Sequence, residues 1–332
     1  MLTSAGAGRI LCFERCNPSK HFLKVFTILK QIMKGLIILK LYTLENDVIS
    51  VVINSIGAEL YSIKTKADGC EYLWQGDSEY WSGRSYNLFP ICGRLTEGKY
   101  TYNGKTYEMN LHGFARDSEF SLIKREAGEL SFELISDEST KAVYPFDFRY
   151  VVSYILDGSR LKTVYEVYNS GNGELIFALG GHPGFNVPLN SGDCFEDYRL
   201  EFSKPTYGVK KLAMSETCYT LPDYEDFPLE NGYIIPLRHN MFDHDAIFLS
   251  ETSGEVTLKS KNGGKSVCVS YPDMKYIGFW HKPYTEAPFV CIEPWTSVPA
   301  YDSVIDKLET KRDMIHLKSG EIKRAEFIIE IK

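Results

Sequence analysis

Two residues of this chain place an acid–base side chain in a stiff stretch of backbone. His182 lies in the segment LGGHPGFN, residues 179–186, where two glycines allow close approach of a neighbour. Glu293 follows the apolar run FVCI and precedes Pro-Trp. Because both residues precede a proline, both are expected in extended backbone. A carboxylate and an imidazole held in rigid backbone are suited to act as a preorganised base and acid. A turn histidine and a structural ion pair are the alternative interpretations.

Three further polar residues are candidates for holding a substrate. His112 lies in NLHGFAR (110–116), Asp245 lies in DHDAIFL (243–249), and Arg94 ends NLFPICGR (87–94). Carboxylate, imidazole and guanidinium groups all hydrogen-bond to hydroxyls. Asp245 is equally explained as a turn cap and Arg94 as a surface residue. These candidates are far apart in sequence, so only a fold brings them together.

Composition and missing motifs exclude several classes of protein. The chain has 332 residues with 37 Lys and Arg against 44 Asp and Glu, a net charge of −7, which argues against nucleic-acid binding. It contains no P-loop, no GxGxxG motif, no GxSxG elbow and no HExxH motif. The Asp-His-Asp of residues 243–245 has no second ligand cluster at suitable spacing, so we expect no metal site.

The elements that must position these residues are predicted to be strands. The aromatic fraction is 14%, which favours half-buried pleated surfaces. Three hairpins combine alternating strands with Asn-Gly or Asp-Gly turns, centred on residues 103–104, 157–158 and 262–263. The predicted β-rich runs are 48–53, 129–135, 150–156, 161–168, 174–179 and 325–331. Antiparallel pairing follows from the hairpins.

Helical segments are predicted to be few and short. The best candidates are Ser78–Trp81 and Ser303–Thr310. No βαβ alternation and no fixed-period repeat is visible, which argues against a parallel sheet, a propeller or a solenoid. No linker divides the chain after residue 36. We therefore predict an all-β fold, one large antiparallel β-sandwich domain with few short helices.

The first forty residues differ from the rest. They carry seven Lys or Arg and one Glu, a net charge of +6, so the remainder carries −13. Their apolar stretch is too interrupted by lysines for a membrane span and lacks a signal-peptide pattern. A membrane-surface helix is one interpretation. We favour an N-terminal extension over residues 1–32, a natural start at Met33 and a domain over 33–332. Eight cysteines without a CxxC pair indicate a reduced, cytoplasmic protein.

Six segments, taken in order, resemble the aldose 1-epimerase family and specifically its LacX-like branch. The resemblance covers roughly residues 36–332. It implies the galactose mutarotase-like β-supersandwich, in agreement with the strand pattern. The segments are YWSGRSYNLFPICGRL (80–95), LHGFARDSEF (111–120), YPFDF (144–148), GGHPGFNVP (180–188), DAIF (245–248) and CIEPW (291–295).

The resemblance also implies roles. Glu293 looks like the catalytic base that takes the proton of the anomeric hydroxyl, and His182 looks like the acid that protonates the ring oxygen. His112, Arg94 and Asp245 would then hold the ring oxygen and the hydroxyls of a monosaccharide. No metal or organic cofactor is required. Activity is expected to be bell-shaped in pH, because one group must be ionised and the other protonated.

Some positions depart from the family pattern and place substrate preference in doubt. Tyr86 and Asn87 stand where a small residue and a proline are usual. His281 follows Trp280 where serine is commoner, and Thr296 stands where an aromatic residue is frequent.

Three other functions stay open at this stage. The first is a non-catalytic carbohydrate-binding protein on the same fold, since a fold alone does not establish activity. The second is a hexose-6-phosphate 1-epimerase, with Arg84 and Arg94 supplying the phosphate site. The third is a glycosidase with Glu293 and Asp245 as its two carboxylates. The sugar and the oligomeric state are not predicted.

Overall fold

The computed structural model describes residues 40–332, and over that range almost all of the regular secondary structure is strand. The predicted extension over 1–32 and the domain start at residue 33 lie outside the described residues and stay predictions. The strands are β1 (Leu41–Glu45), β2 (Ile49–Asn54), β3 (Leu60–Thr65), β4 (Ser85–Leu88), β5 (Lys99–Tyr102), β6 (Lys105–Glu108), β7 (Ser121–Glu126), β8 (Glu129–Ile135), β9 (Phe148–Asp157), β10 (Arg160–Asn169), β11 (Leu175–Phe177), β12 (Gly180–Asn186), β13 (Tyr198–Phe202), β14 (Lys210–Met214), β15 (Thr220–Asp226), β16 (Ile234–Pro236), β17 (Ile247–Ser250), β18 (Glu255–Ser260), β19 (Ser266–Ser270), β20 (Tyr276–Trp280), β21 (Phe289–Trp295), β22 (Asp306–Lys307), β23 (Ile315–Leu317) and β24 (Ile322–Ile331).

Two large antiparallel sheets form the body of the fold. The nine-stranded sheet has the order β16-β13-β18-β19-β24-β10-β9-β8-β7, and the seven-stranded sheet has the order β15-β14-β17-β20-β21-β12-β4. They pack face to face: the Tyr165 hydroxyl of β10 donates to Asn87 Oδ1 of β4 at 2.8 Å, and Phe202 contacts Phe279 across the layer. The all-β sandwich expectation is confirmed.

Alternating burial explains how the nine-stranded sheet forms. Along β24, Ala325, Phe327, Ile329 and Ile331 are buried while the intervening residues are not, the period-2 pattern of a strand with one face on the core. In contrast, β12 and β21 lie inside the seven-stranded sheet and are buried along almost their whole length. The face of these two strands that points away from the nine-stranded sheet packs against aromatic side chains. It also forms part of the wall of the pocket described below.

The three predicted hairpins are present. Strands β5–β6, β9–β10 and β18–β19 pair antiparallel, and Asn103 and Gly104 have φ values of 48° and 74°, as a tight hairpin turn requires. Three small sheets complete the described fold, with orders β1-β2-β3, β11-β23 and β22-β5-β6. The two-residue pairing of β22 with β5 is parallel.

The two predicted helices are wrong in detail. Ser78–Trp81 is a single turn, closed by the Trp81 N–H on the Asp77 carbonyl at 2.8 Å. The segment 303–310 consists of a turn, strand β22 and a 3-10 turn over Leu308–Thr310. The Asp77 side chain accepts from the Glu79 N–H at 2.9 Å, but a single turn is too short to nucleate an α-helix, and strand β22 interrupts the second segment.

The one α-helix of the described residues is α1, Glu138–Val143. Its N-cap Asp137 accepts from the Thr140 N–H at 2.8 Å, while the Thr140 hydroxyl accepts from the Asp137 N–H. This reciprocal capping stabilises a helix of only six residues.

Within the described range, no helix is long and apolar enough to cross a membrane. The six cysteines in that range are free thiols: Cys70, Cys92, Cys194, Cys218, Cys268 and Cys291. The reduced state and the cytoplasmic location stay predictions.

Candidate active site

Strand register brings His182 and Glu293 together. Gly180 pairs with Trp295 and Gly184 pairs with Cys291, so His182 on β12 and Glu293 on β21 stand opposite each other and on the same face. His182 Nε2 lies 3.2 Å from Glu293 Oε2, and the two side chains are 9% and 2% exposed. Both residues lie in strands, as their following prolines predicted.

Cross-strand pairs on either side of His182 and Glu293 place further residues at the floor of the pocket. Tyr86 pairs with His182 on one side, and Glu293 pairs with Gly278, which pairs with Phe248. A Cβ on Gly278 would lie 2.7 Å from the Phe248 ring and 3.3 Å from Glu293 Cβ. Glycine at this position therefore leaves room for the carboxylate and the ring to lie side by side.

Glycines also explain why the His182 segment fits. A Cβ on Gly180 would lie 2.7 Å from the Trp295 ring, and one on Gly181 would lie 2.8 Å from the Phe327 ring of the opposite sheet. The Trp295 indole N–H donates to the Gly181 carbonyl at 3.2 Å. The predicted close approach at the two glycines is thus present on both faces of β12.

Burial dominates the electrostatics of the acid–base pair. Burial lowers the pKa of His182 to about 3, and burial, with a smaller contribution from the nearby Asp245 charge, raises the pKa of Glu293 well above its usual range. His182 Nδ1 is buried without a hydrogen-bond partner in the described part of the chain, so no acceptor stabilises a second ring proton. The pair therefore holds one shared ionisable proton over a wide pH range and has no net charge.

An aromatic cage surrounds the His182 ring. The Trp81 indole stacks on it with ring centroids 4.9 Å apart and an interplanar angle of 29°. Trp280, Tyr86 and His112 approach edge-on, with centroids 5.9, 6.3 and 5.4 Å away. Aromatic faces attract cations, so Trp81 stabilises an imidazolium when one forms.

His112 is held in one orientation by the backbone. The ring Nδ1 of His112 accepts from the Gly93 backbone N–H at 3.1 Å, and the backbone N–H of His112 donates to the Gly93 carbonyl at 2.9 Å. Burial, with smaller effects from His182, Arg116 and Arg94, lowers the pKa of His112 well below its usual value, so the ring is neutral. With Nδ1 occupied as an acceptor, Nε2–H is left as the donor on the pocket side.

Arg94 and Asp245 form a partly exposed pair on another wall of the pocket. Arg94 Nη2 lies 3.4 Å from Asp245 Oδ2, and Arg94 Nη1 donates to the Thr217 carbonyl at 3.1 Å. The side chains of Arg94 and Asp245 are 38% and 22% exposed. The guanidinium donors and carboxylate lone pairs that these contacts leave unused can bind hydroxyls.

All five sequence-predicted residues line one pocket of about 220 Å³, small enough to suit a single sugar ring. Sequence reasoning missed several wall residues, including Arg116, Trp81 and Trp280. Arg116 and Trp81 belong to the segments 111–120 and 80–95, which carry the family resemblance. Their residue types alone did not indicate that their side chains line the pocket. The wall comprises Trp81, Tyr86, Gly93, Arg94, Leu111, His112, Arg116, His182, Met214, Cys218, Asp245, Ala246, Phe248, Trp280, Glu293, Trp295 and Pro299.

Only one of the unusual positions lines this pocket, namely Tyr86. Asn87 is buried and donates to the carbonyls of residues 57 and 58 at 3.0 and 2.9 Å, so its role is structural. His281 is fully buried against His239, and the Thr296 hydroxyl accepts from the Leu179 N–H.

Arg84 lies outside the pocket wall. Its guanidinium stacks on Tyr61 at 3.9 Å and donates to Gln75 Oε1 at 2.9 Å. The phosphate site suggested for Arg84 with Arg94 is therefore not assembled in this structure.

One group of residues in the described part has metal-ligand chemistry. The ligand atoms of His182, Cys291 and Glu293 lie within 4.8 Å of one another. Burial raises the pKa of the Cys291 thiol well above its usual value, so the sulfur is protonated. The expectation of no metal stays a prediction.

The comparisons with known proteins agree on one family. The sequence profile described as Aldose 1-epimerase matches residues 40–329. The chain is 35% identical over 263 residues to the plasmid and chromosomal LacX proteins of Lactococcus lactis subsp. lactis, covering 77% of this chain and 87% of each relative.

Solved structures show the same relationship. A galactose mutarotase related enzyme from Lactobacillus acidophilus is 33% identical with a TM-score of 0.84, over 88% of this chain and 97% of that chain. A galactose mutarotase-like protein from Lactobacillus casei is 30% identical with a TM-score of 0.84, over 88% of this chain and 100% of that chain. The fold is therefore the galactose mutarotase-like β-supersandwich, and the chain belongs to the aldose 1-epimerase family.

Proposed function

We propose that this protein is an aldose 1-epimerase that interconverts the α and β anomers of a free hexose. The observation that carries the proposal is the buried His182–Glu293 pair, 3.2 Å apart on the floor of a pocket sized for one sugar ring. Mutarotation needs one proton removed and one delivered at adjacent oxygens, and this pair supplies both transfers.

Ring opening begins at the anomeric hydroxyl. Glu293 takes its proton, the C1–O1 bond becomes a carbonyl, the C1–O5 bond breaks, and O5 takes a proton from His182. The open aldehyde rotates about the C1–C2 bond. Ring closure reverses each step on the other face of C1: Glu293 returns a proton to O1, His182 removes one from O5, and the opposite anomer results.

The single shared proton makes this cycle self-sufficient. Ring opening converts ionised Glu293 and protonated His182 into protonated Glu293 and neutral His182, with the same total number of protons. Ring closure starts from that second state. No exchange with solvent is needed between the two halves, which suits a pair that is almost wholly buried.

The other three residues hold the sugar in this proposal. His112 donates from Nε2 to the ring oxygen or a neighbouring hydroxyl, because its Nδ1 is occupied by Gly93. Arg94 and Asp245 bind hydroxyls with the donors and acceptor that their own pairing leaves free. Each well-positioned acid or base contributes roughly 10²–10⁴-fold to the rate.

The structure changes the expected pH profile. A bell shape still follows, but its limbs are displaced, because the acidic limb requires a second proton on the pair and burial lowers the pKa of His182 to about 3. The basic limb moves upward, because Glu293 has a raised pKa. Activity is thus expected to persist well below the ordinary pKa of histidine.

Polarimetry on freshly dissolved α-glucose and α-galactose tests the proposal. The wild type is expected to accelerate the approach to anomeric equilibrium, and Glu293→Gln and His182→Asn are each expected to lose about 10²–10⁴-fold in kcat while still binding sugar. Asn186→Ala, on the same strand as His182 but outside the pocket wall, is the matched control. Sugar binding without acceleration would instead identify a carbohydrate-binding protein.

A further inference from the structure

A thiol lies beside the acid–base pair and has no part in the proposed reaction. Cys291 precedes Glu293 by two residues on β21, so the two side chains point to the same face of the sheet. Cys291 pairs with Gly184 of β12, and a Cβ on that glycine would lie 3.4 Å from the Cys291 Sγ. Glycine at this position therefore leaves room for the sulfur on the face that carries His182 and Glu293.

The three side chains provide the ligand types of a zinc ion. The ligand atoms of Cys291, His182 and Glu293 lie within 4.8 Å of one another, and the His182–Glu293 contact is 3.2 Å. Tetrahedral zinc binds nitrogen and oxygen at about 2.0–2.2 Å and sulfur at about 2.3 Å, so its ligand atoms are roughly 3.3–3.7 Å apart. The three side chains reach that geometry with roughly 1 Å of movement. Since His182 Nδ1 has no hydrogen-bond partner among the described residues, no second bond holds the ring against this movement.

A divalent cation is buried at this place without leaving a net charge. The metal-free site holds two exchangeable protons, one on the Cys291 thiol and one shared by His182 and Glu293. Metal binding releases both protons, because the ligands must be a thiolate, a neutral imidazole and a carboxylate. The thiolate and the carboxylate then neutralise the two positive charges of the ion, which avoids the cost of a buried charge. The other charges that act on the pair, those of Arg116 and Asp245, have opposite signs.

The surroundings of the site select a thiophilic ion. Cys291 is fully buried beside Trp74 and Phe289, whereas His182 and Glu293 line the pocket, so an ion enters from the pocket together with a water as its fourth ligand. Mg²⁺ and Ca²⁺ need about six or more oxygen ligands, which this site does not supply. Zn²⁺ and Co²⁺ accept mixed sulfur, nitrogen and oxygen ligands.

We propose that Cys291, His182 and Glu293 bind Zn²⁺ or a similar thiophilic divalent cation, and that the ion inhibits the enzyme. The bound ion occupies the lone pairs of His182 and Glu293 that would otherwise move the protons of the sugar. The reaction itself still requires no metal. The expectation of no metal site was drawn from local ligand spacing, whereas these ligands come from strands more than a hundred residues apart in sequence. The metal binding is independent of the proposed function, and only the inhibition rests on it.

Spectroscopic titration with Co²⁺ and Zn²⁺ tests the binding. The full-length protein is treated with EDTA, the chelator is removed, and Co²⁺ is added. A thiolate-to-cobalt charge-transfer band in the near ultraviolet is expected, and excess Zn²⁺ should abolish it by displacing the cobalt. Mg²⁺ at the same concentration should leave the band unchanged, because it does not compete for a thiolate.

Cysteine variants identify the ligand. Cys291→Ser is expected to lose the band and to raise the Kd for Zn²⁺ roughly 100-fold or more, since losing even a group that only orients a ligand costs about 10–100-fold. Cys291→Ala is a second variant, because a buried serine hydroxyl needs a partner. The controls are Cys218→Ser, at the other thiol on the pocket wall, and Cys268→Ser, at a buried thiol on β19. Both controls should keep the band, and urea unfolding checks that each variant is folded.

Polarimetry with and without Zn²⁺ tests the inhibition, and the rate of each variant is compared with its own metal-free rate. Saturating Zn²⁺ should lower the wild-type rate about 10²-fold or more, because it blocks both proton transfers, and EDTA should restore the rate. The same concentration should inhibit Cys218→Ser as strongly as the wild type. It should leave Cys291→Ser largely active.

The outcomes separate the metal site from the function. If the band persists in both Cys291 variants, or Zn²⁺ inhibits Cys291→Ser as strongly as the wild type, the assigned site is wrong. If the wild type binds the ion through Cys291 and keeps its epimerase rate, the inhibition is wrong. If the metal-free protein epimerises no sugar, the proposed function fails, and the cobalt spectra still decide whether the metal site exists.

Discussion

Replacing Glu293 with glutamine should change how the stability of the fold depends on pH. The folded His182–Glu293 pair holds one ionisable proton, because burial raises the pKa of Glu293 and lowers that of His182 to about 3. In the unfolded chain the two groups titrate near their ordinary values of 4.5 and 6.5. The variant keeps the shape and a hydrogen-bond donor but removes the titrating carboxyl.

The sign follows from counting protons in each state. Between pH 4.5 and 6.5 the unfolded pair holds one proton on histidine, as many as the folded pair, so the pair makes stability neither rise nor fall. Above pH 6.5 the unfolded pair holds none, so folding takes up a proton and stability falls with rising pH. Below pH 4.5 the unfolded pair holds two, and stability falls as the pH drops.

The magnitude is that of one proton, about 1.4 kcal/mol for each pH unit. In Glu293→Gln the folded and unfolded states both hold no proton at this pair above pH 6.5, so its stability there is flat. The wild type should therefore lose about 1.4 kcal/mol per pH unit relative to the variant for as long as the folded pair keeps its proton. The variant is also expected to be the more stable protein at neutral pH, as is common when a catalytic group is removed.

Urea unfolding at about pH 5.5, 6.5 and 7.5 measures this difference, with tryptophan fluorescence as the signal. Trp81, Trp280 and Trp295 all line the pocket and report on the region of interest. Parallel pH dependence of the two proteins would refute the reasoning, because it would mean that the folded His182–Glu293 pair holds no proton at these pH values. The shared-proton mechanism would then lose its basis.

Three further substitutions test other parts of the structure. Trp81→Leu should lower kcat roughly twofold to thirtyfold by removing the ring that stabilises the proposed imidazolium, while Trp81→Phe should keep most activity; polarimetry and the pH profile measure both. Gly181→Ala should lower the free energy of unfolding by about 1–3 kcal/mol in urea, because its Cβ would lie 2.8 Å from the Phe327 ring of the opposite sheet. Gly173→Ala is the control, because a Cβ there meets no atom within 4 Å and should leave the free energy of unfolding nearly unchanged. Lys311→Met should cost about 3–5 kcal/mol, because it leaves Asp306 buried without the ammonium 2.9 Å away, and adding Asp306→Asn should restore much of the loss in the same assay.

Local sequence determined much of the strand framework. Turn dipeptides with positive-φ tolerance fixed three hairpins, and alternating burial in strands such as β24 follows from side chains on opposite faces. Helices were predicted less well. Ser78–Trp81 has a cap in Asp77 but forms only a single turn, and Ser303–Thr310 contains strand β22, whereas the capping residues Asp137 and Thr140 were overlooked.

The sequence by itself also determined which residue types were available for proton transfer and the extended backbone before each proline at His182 and Glu293. Only the tertiary structure decided that these two residues stand 3.2 Å apart, because the distance depends on antiparallel register between strands over a hundred residues apart in sequence. It also decided that they share one proton, because burial on both sides of the sheet sets their pKa values. It likewise placed Arg116 and Trp81 on the pocket wall and Arg84 outside it. Side-chain direction and solvent exclusion depend on contacts between distant segments, which local sequence does not encode.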